Sequence, residues 1–111
     1  MTDLEITRLC GKAMNLDLVQ RNAKKSSGYW SMELCKHYDP LHDDAQAMAL
    51  VRKFRLNIVY IGIRESPSTR AVEWWCMDVT QHFEGPGDTL NQAICECVAK
   101  MRQAKIKEVQ P

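Results

Sequence analysis

The sequence predicts an α+β fold: a three-layer α/β/α sandwich in which a small antiparallel sheet of about three strands carries helices on both faces. Three observations lead there. Segments starting at Thr2, Asp43 and Thr89 each join a capping pattern to apolar residues at helical spacing. The runs 56–63 and 71–79 carry apolar side chains on both faces, as strands do when both sides are covered. The connections are too short for a series of parallel crossovers, so neighbouring strands should pair antiparallel.

Thr2-Asp3-Leu4-Glu5 has the form of a capping box, in which the Thr hydroxyl and the Glu carboxylate satisfy free backbone N–H groups. The helix that follows places Ile6, Leu9, Cys10 and Ala13 on one stripe, with Met14 at its margin and a stop at Asn15. Gly11 lies off that stripe and weakens the helix by up to about 1 kcal/mol relative to alanine. Residues 17–28 are polar, end in Lys24-Lys25-Ser26-Ser27-Gly28, and read as a loop. Residues 29–34 then alternate, with Trp30, Met32 and Leu34 on one side, as in a strand with one exposed face.

Asp39-Pro40 ends that strand, and Asp43 with Gln46 forms a second capping-box pair ahead of a helix bearing Ala47, Leu50, Val51 and Phe54 on one stripe. Asp44 suits the positive end of the helix dipole, and Arg52, Lys53 and Arg55 the negative end. The strand 56–63 is followed by a loop at 64–70 and a strand at 71–79. Its Trp74 and Trp75 must face opposite sides. Glu84-Gly85-Pro86-Gly87-Asp88 reads as a turn, and Thr89 with Gln92 as a third capping pair. The last helix holds Leu90, Ala93, Ile94, Cys97, Val98, Met101 and Ala104 in one wide stripe, and residues 105–111 should fray.

At 111 residues, 45% of them hydrophobic and 26% charged, the chain is expected to form a single domain over 1–111 with its own core. Fifteen basic residues against fourteen acidic ones argue against a bulk electrostatic grip on nucleic acid or anionic lipid. No apolar run approaches the roughly 20 residues that span a bilayer, and the start of the chain lacks the pattern of an export signal. Five cysteines, an odd number, fit reduced thiols better than a disulfide framework. Cys95 and Cys97 point about 200° apart on a helix and cannot pair with each other. The expected location is the cytoplasm.

Residues 38–48 (Tyr38-Asp39-Pro40-Leu41-His42-Asp43-Asp44-Ala45-Gln46-Ala47-Met48), the strand pair with its tryptophans, and Leu90-Asn91-Gln92-Ala93-Ile94-Cys95-Glu96-Cys97-Val98-Ala99 together resemble the phage αβα-sandwich proteins. These are small proteins of tailed bacteriophages and prophages. The resemblance covers nearly the whole chain and is least close over 17–34. It implies a helix–sheet–helix sandwich, encoded by a phage and working in the bacterial host cytoplasm. It brings no activity, cofactor or catalytic residue to transfer.

The densest polar cluster is Cys35, His37, Asp39, His42, Asp43 and Asp44. Its residue types suit a transition metal, with Cys35, His37 and His42 as the candidate ligands, but the spacing matches no ligand pattern. Asp43, Asp44 and Asp39 already serve as helix start and turn former. A catalytic cysteine would need a partly exposed, electropositive setting. Cys97 falls in the core stripe; Cys95 lies toward the polar flank, with no base near it in sequence. Gly85-Pro86-Gly87 lacks the spacing and lysine of a phosphate loop. Tyr29, Trp30, Trp74 and Trp75, with Lys24, Lys25, Arg64 and Arg70, could form a base-stacking surface, although aromatics at strand spacing mainly build cores.

The sequence therefore supports no catalytic, cofactor or metal residue. It favours a binding role, with a phage or host protein as partner, through the exposed side of 29–34 and the loop at 24–30. A homodimer by strand addition and weak single-stranded nucleic-acid binding stand as alternatives, and a metal protein or enzyme ranks below both.

Overall fold

The computed structural model describes the backbone of residues 1–23, 26–61, 74–80 and 82–109, and the side chains of 1–20, 28–61, 74–80 and 82–105. The elements run α1 (Asp3–Ala13), β1 (Leu18–Ala23), β2 (Ser26–Ser31), β3 (Lys36–Tyr38), α2 (Asp44–Phe54), β4 (Asn57–Tyr60), β5 (Trp74–Met77), β6 (Glu84–Gly87) and α3 (Leu90–Val109). The class is α+β, and every strand pairing among the described residues is antiparallel. The strands form two three-stranded sheets, β1-β2-β3 and β4-β5-β6, where the sequence suggested one.

The helices start where their capping residues place them. Thr2 Oγ1 accepts from the Glu5 amide at 3.2 Å and Glu5 Oε2 accepts from the Thr2 amide at 3.2 Å, closing the box. Asp43 Oδ1 accepts the Gln46 amide at 3.0 Å, and Thr89 Oγ1 the Gln92 amide at 3.1 Å. The two glutamines do not complete boxes. Gln92 Oε1 takes the Asp88 amide, and the buried Gln46 reaches back across the β3–α2 connection. Its Oε1 accepts from the Asp39 amide at 2.7 Å and its Nε2 donates to the His37 carbonyl at 2.8 Å. Gln46 thereby ties the end of the first sheet to the start of α2.

α3 is the centre of the molecule. Ala93, Ile94, Cys95, Cys97, Val98 and Ala99 have no exposed surface, so its middle is enclosed nearly all round rather than along one stripe. β5 and β6 pack on one side of it, and α1 and α2 pack on it elsewhere. Its small residues allow this closeness. Gly85 and Gly87 of β6 turn their missing side chains toward the α3 backbone at Ala93 and Cys97. Buried Ile6, Leu9 and Cys10 from α1, Tyr38 from β3, Ala47 and Leu50 from α2, and Cys76 from β5 complete the core.

Three readings of the strands need correction. The polar stretch 17–28 holds β1 and the start of β2, in register Leu18↔Ser31 and Val19↔Trp30, because Leu18 anchors it against the core. Gly11 leaves that anchor room, since a Cβ there would stand 2.2 Å from Leu18 Cδ1. The strand expected at 29–34 ends at Ser31, and residues 32–35 turn, with Cys35 at φ 53°. The turn expected at 84–88 is strand β6 over 84–87; Pro86 is tolerated because β6 forms the edge of its sheet.

The double covering expected of β4 is also absent. Ile58 packs against the core, but Val59 is 42% exposed and Tyr60 59% exposed. Trp74 and Trp75 do face opposite ways: Trp74 packs on the core beside Tyr60, and Trp75 opposes Val59 on the face turned from α3. The loop expected at 64–70 and the first part of the strand expected at 71–79 lie outside the described residues.

Candidate functional site

The polar cluster of residues 35–44 is distributed among structural tasks. Cys35 is exposed, its thiol donating to the Met32 carbonyl at 3.4 Å. His37 meets Trp30 edge-on, with ring centroids 5.2 Å apart. His42 Nδ1 pairs with Asp39 Oδ2 at 2.9 Å on the surface. Asp43 caps α2, and Asp44 Oδ1 accepts from Asn91 Nδ2 at 2.9 Å, joining the starts of α2 and α3. Among the described residues no three His, Cys, Asp or Glu side chains gather closely enough to hold a metal ion.

All five cysteines are free thiols. Cys95 is fully buried, against the exposure suggested by its sequence position, because α1 covers that side of α3. The Cys10 thiol donates to the Cys95 carbonyl at 3.4 Å. Hydrogen bonding with the Cys10 thiol, together with burial, pushes the Cys95 thiol up. On the opposite side of α3 Cys97 faces β5, where hydrogen bonding to Cys97 and burial push the Cys76 thiol up. Tyr38 is raised as well, chiefly by burial and then by Cys10 and Cys95 nearby. Cys76, Cys95 and Tyr38 are thereby held neutral, while the bond to Cys76 draws the buried Cys97 thiol below its ordinary value.

Asp78 organises the β5–β6 connection. Its buried carboxylate accepts from the Thr80 hydroxyl and, at 3.1 Å, from the Phe83 amide. Burial opposes its ionisation, but these bonds, the His82 amide and the His82 charge outweigh it and hold the carboxyl below its ordinary value. Phe83 is fixed as a result, and its carbonyl accepts the Cys97 thiol at 3.6 Å.

The aromatic residues do not share a surface. Tyr29 is buried, Trp30 lies on the face of the first sheet with Val19 and His37, and Trp74 and Trp75 occupy opposite faces of the second sheet. The cations proposed to accompany them, Lys24, Lys25, Arg64 and Arg70, lie outside the described residues.

The side of the second sheet turned from α3 carries exposed Val59 and half-buried Trp75, Met77 and Pro86. Val59, Trp75 and Pro86 follow one another across its strands, with Met77 beside them. β4 is the edge of that sheet, and Tyr60 and the adjoining Ile61 are exposed along it. Sequence alternation could not mark this surface, because the strands read as apolar on both sides.

Among the described residues no helix is long and apolar enough to cross a membrane. No protein-family model matches the chain, and no curated protein or solved structure is found to be similar to it.

Proposed function

We propose that this is a phage-encoded accessory protein of the host cytoplasm that binds another protein through the outer face and edge of the second sheet. The phage origin rests on the resemblance at residues 38–48 and 90–99. The binding role rests on one observation: the Val59–Trp75–Pro86 row is apolar and only partly covered by the described residues, beside an edge strand whose Tyr60 and Ile61 are exposed. An edge strand offers backbone donors and acceptors to an incoming strand, and the apolar row supplies side-chain contact. Pro86 removes a donor from the opposite edge, which leaves β4 as the side open to addition. The net charge of +1 gives no bulk attraction to a polyanion.

The test compares wild type with Val59→Lys and, as a control on the first sheet, Val19→Lys, which is 49% exposed. Pull-downs from phage-infected and uninfected host lysates are paired with size-exclusion chromatography and light scattering. A partner kept by Val19→Lys and lost by Val59→Lys supports the reading; a doubled mass lost the same way makes a second copy the occupant. A monomer capturing nothing, or a partner indifferent to Val59, defeats it. Salt-reversible quenching of tryptophan fluorescence by single-stranded oligonucleotides, abolished in Trp30→Leu, would move the function to nucleic-acid binding.

A further inference from the structure

A pocket of about 390 Å³ opens where the C-terminal ends of α1 and α2 meet the second half of α3. That volume lies in the ordinary range of small-molecule sites. Phe54, Phe83, Met101 and Ala104, all half-buried, and the fully buried Val98 give it an apolar lining. Arg102 and Lys105 are its charged members, and no carboxylate lines it among the described residues. Lys53 stands near the same mouth, its Nζ donating to the Ala13 carbonyl at 2.9 Å and lying 5.6 Å from the centre of the Phe54 ring. The surroundings are apolar and positively charged.

Arg102 makes this more than a greasy cleft. Its Nε is buried and has no hydrogen-bond partner among the described residues. A buried donor on a cation without an acceptor is costly, and native proteins rarely leave one so unless something else satisfies it. The acceptor that best suits the guanidinium lining the pocket is an anionic oxygen, because such bonds are charge-assisted. At about 30 Å³ per water-sized group, the volume takes roughly a dozen such groups, a headgroup and a chain of about ten carbons.

We infer that this pocket binds a single-chain carboxylate amphiphile, with its hydrocarbon against Phe54, Phe83 and Met101 and its carboxylate on the Arg102 guanidinium. Lys105 sits at the exposed mouth and adds long-range attraction. The site is separate from the outer face of the second sheet, so it stands whether or not that face binds protein.

The test titrates the folded chain with decanoate and decyltrimethylammonium below their micelle concentrations and with decanol below its solubility limit. Calorimetry is read beside amide shifts of Phe83, Met101 and Ala104. Decanoate should saturate, move those amides, and bind about tenfold or more tighter than the other two, the value of one charge-assisted hydrogen bond. Arg102→Met should cut decanoate affinity by about the same factor. Arg102→Lys should recover part of it and serves in its place if Arg102→Met does not fold. Ala104→Phe, at a half-buried wall, should exclude all three. No saturable binding, equal affinity for the three amphiphiles, or decanoate affinity unchanged in both Arg102 variants would overturn the assignment.

Discussion

Gly85 of β6 lies directly on the backbone of Ala93 in α3: a Cβ on Gly85 would stand 2.3 Å from the Ala93 carbonyl oxygen and 2.6 Å from the Cys97 nitrogen. Both obstacles are backbone atoms of a buried helix, so no flexible side chain can yield. Gly85→Ala should cost about 3 kcal/mol or more, the upper part of the range for overpacking. Gly28→Ala is the control. Nothing lies within 4 Å of its Cβ position, and removing glycine's backbone freedom should leave stability unchanged or raise it by up to about 1 kcal/mol. Urea midpoints of the two variants decide this.

Gln46 holds the β3–α2 connection through two bonds that its side chain alone can make together. Gln46→Ala should lose about 1–3 kcal/mol, because the Asp39 amide and the His37 carbonyl lose their partner. Gln46→Glu keeps an acceptor for Asp39 but turns an anionic oxygen on the His37 carbonyl. Its folded pKa should therefore rise above the unfolded value, so stability is fullest below the unfolded pKa and lost as pH rises. Relative to wild type, its melting temperature should recover on going from about pH 7 to about pH 4.

Asp78 reports the opposite sign. Its folded carboxyl is held below its ordinary value, so its contribution is present above the unfolded pKa of about 3.9 and lost as pH falls through the folded value. Asp78→Ala should destabilise by about 1–3 kcal/mol at neutral pH by orphaning the Phe83 amide and the Thr80 hydroxyl. That gap should narrow on acidification below about pH 4, seen in paired thermal melts. Because Phe83 lines the pocket at α3, the same variant should also weaken decanoate binding.

Thiol chemistry should separate one cysteine from four. Cys35 is exposed, while Cys10, Cys76, Cys95 and Cys97 are buried. An aromatic disulfide reagent should therefore titrate one thiol in the native protein and five in guanidinium. Raising the pH to about 9 should not recruit the others, since none of the four has exposed surface for the reagent to reach, although the bond to Cys76 draws the Cys97 thiol below its ordinary value. Cys35→Ser should abolish the fast phase. A second fast thiol would mean that α3 opens on the time scale of the labelling.

Local chemistry made the helices legible. Thr2, Asp43 and Thr89 each cap from their own sequence position, within a few residues of the amides they satisfy. The sheets were harder to read, because a strand is defined by a partner elsewhere in the chain. Leu18 and Gly11 make β1 only together, and Gly85 makes a strand of a glycine–proline stretch only because α3 lies against it. The pocket was hidden for the same reason: Phe54, Phe83 and Arg102 come from three separate segments.

By itself the sequence determined the α+β class, the three helix starts, the antiparallel pairing of β4 with β5, and the opposed directions of Cys95 and Cys97. Only the tertiary structure decided that the strands form two sheets and that α3 lies at the core. Among the described residues it also left one face of the second sheet only partly covered and Arg102 Nε without a partner. The division follows from range. Caps and helical periodicity act over a few residues, whereas burial is settled by which surfaces meet once the chain has closed on itself.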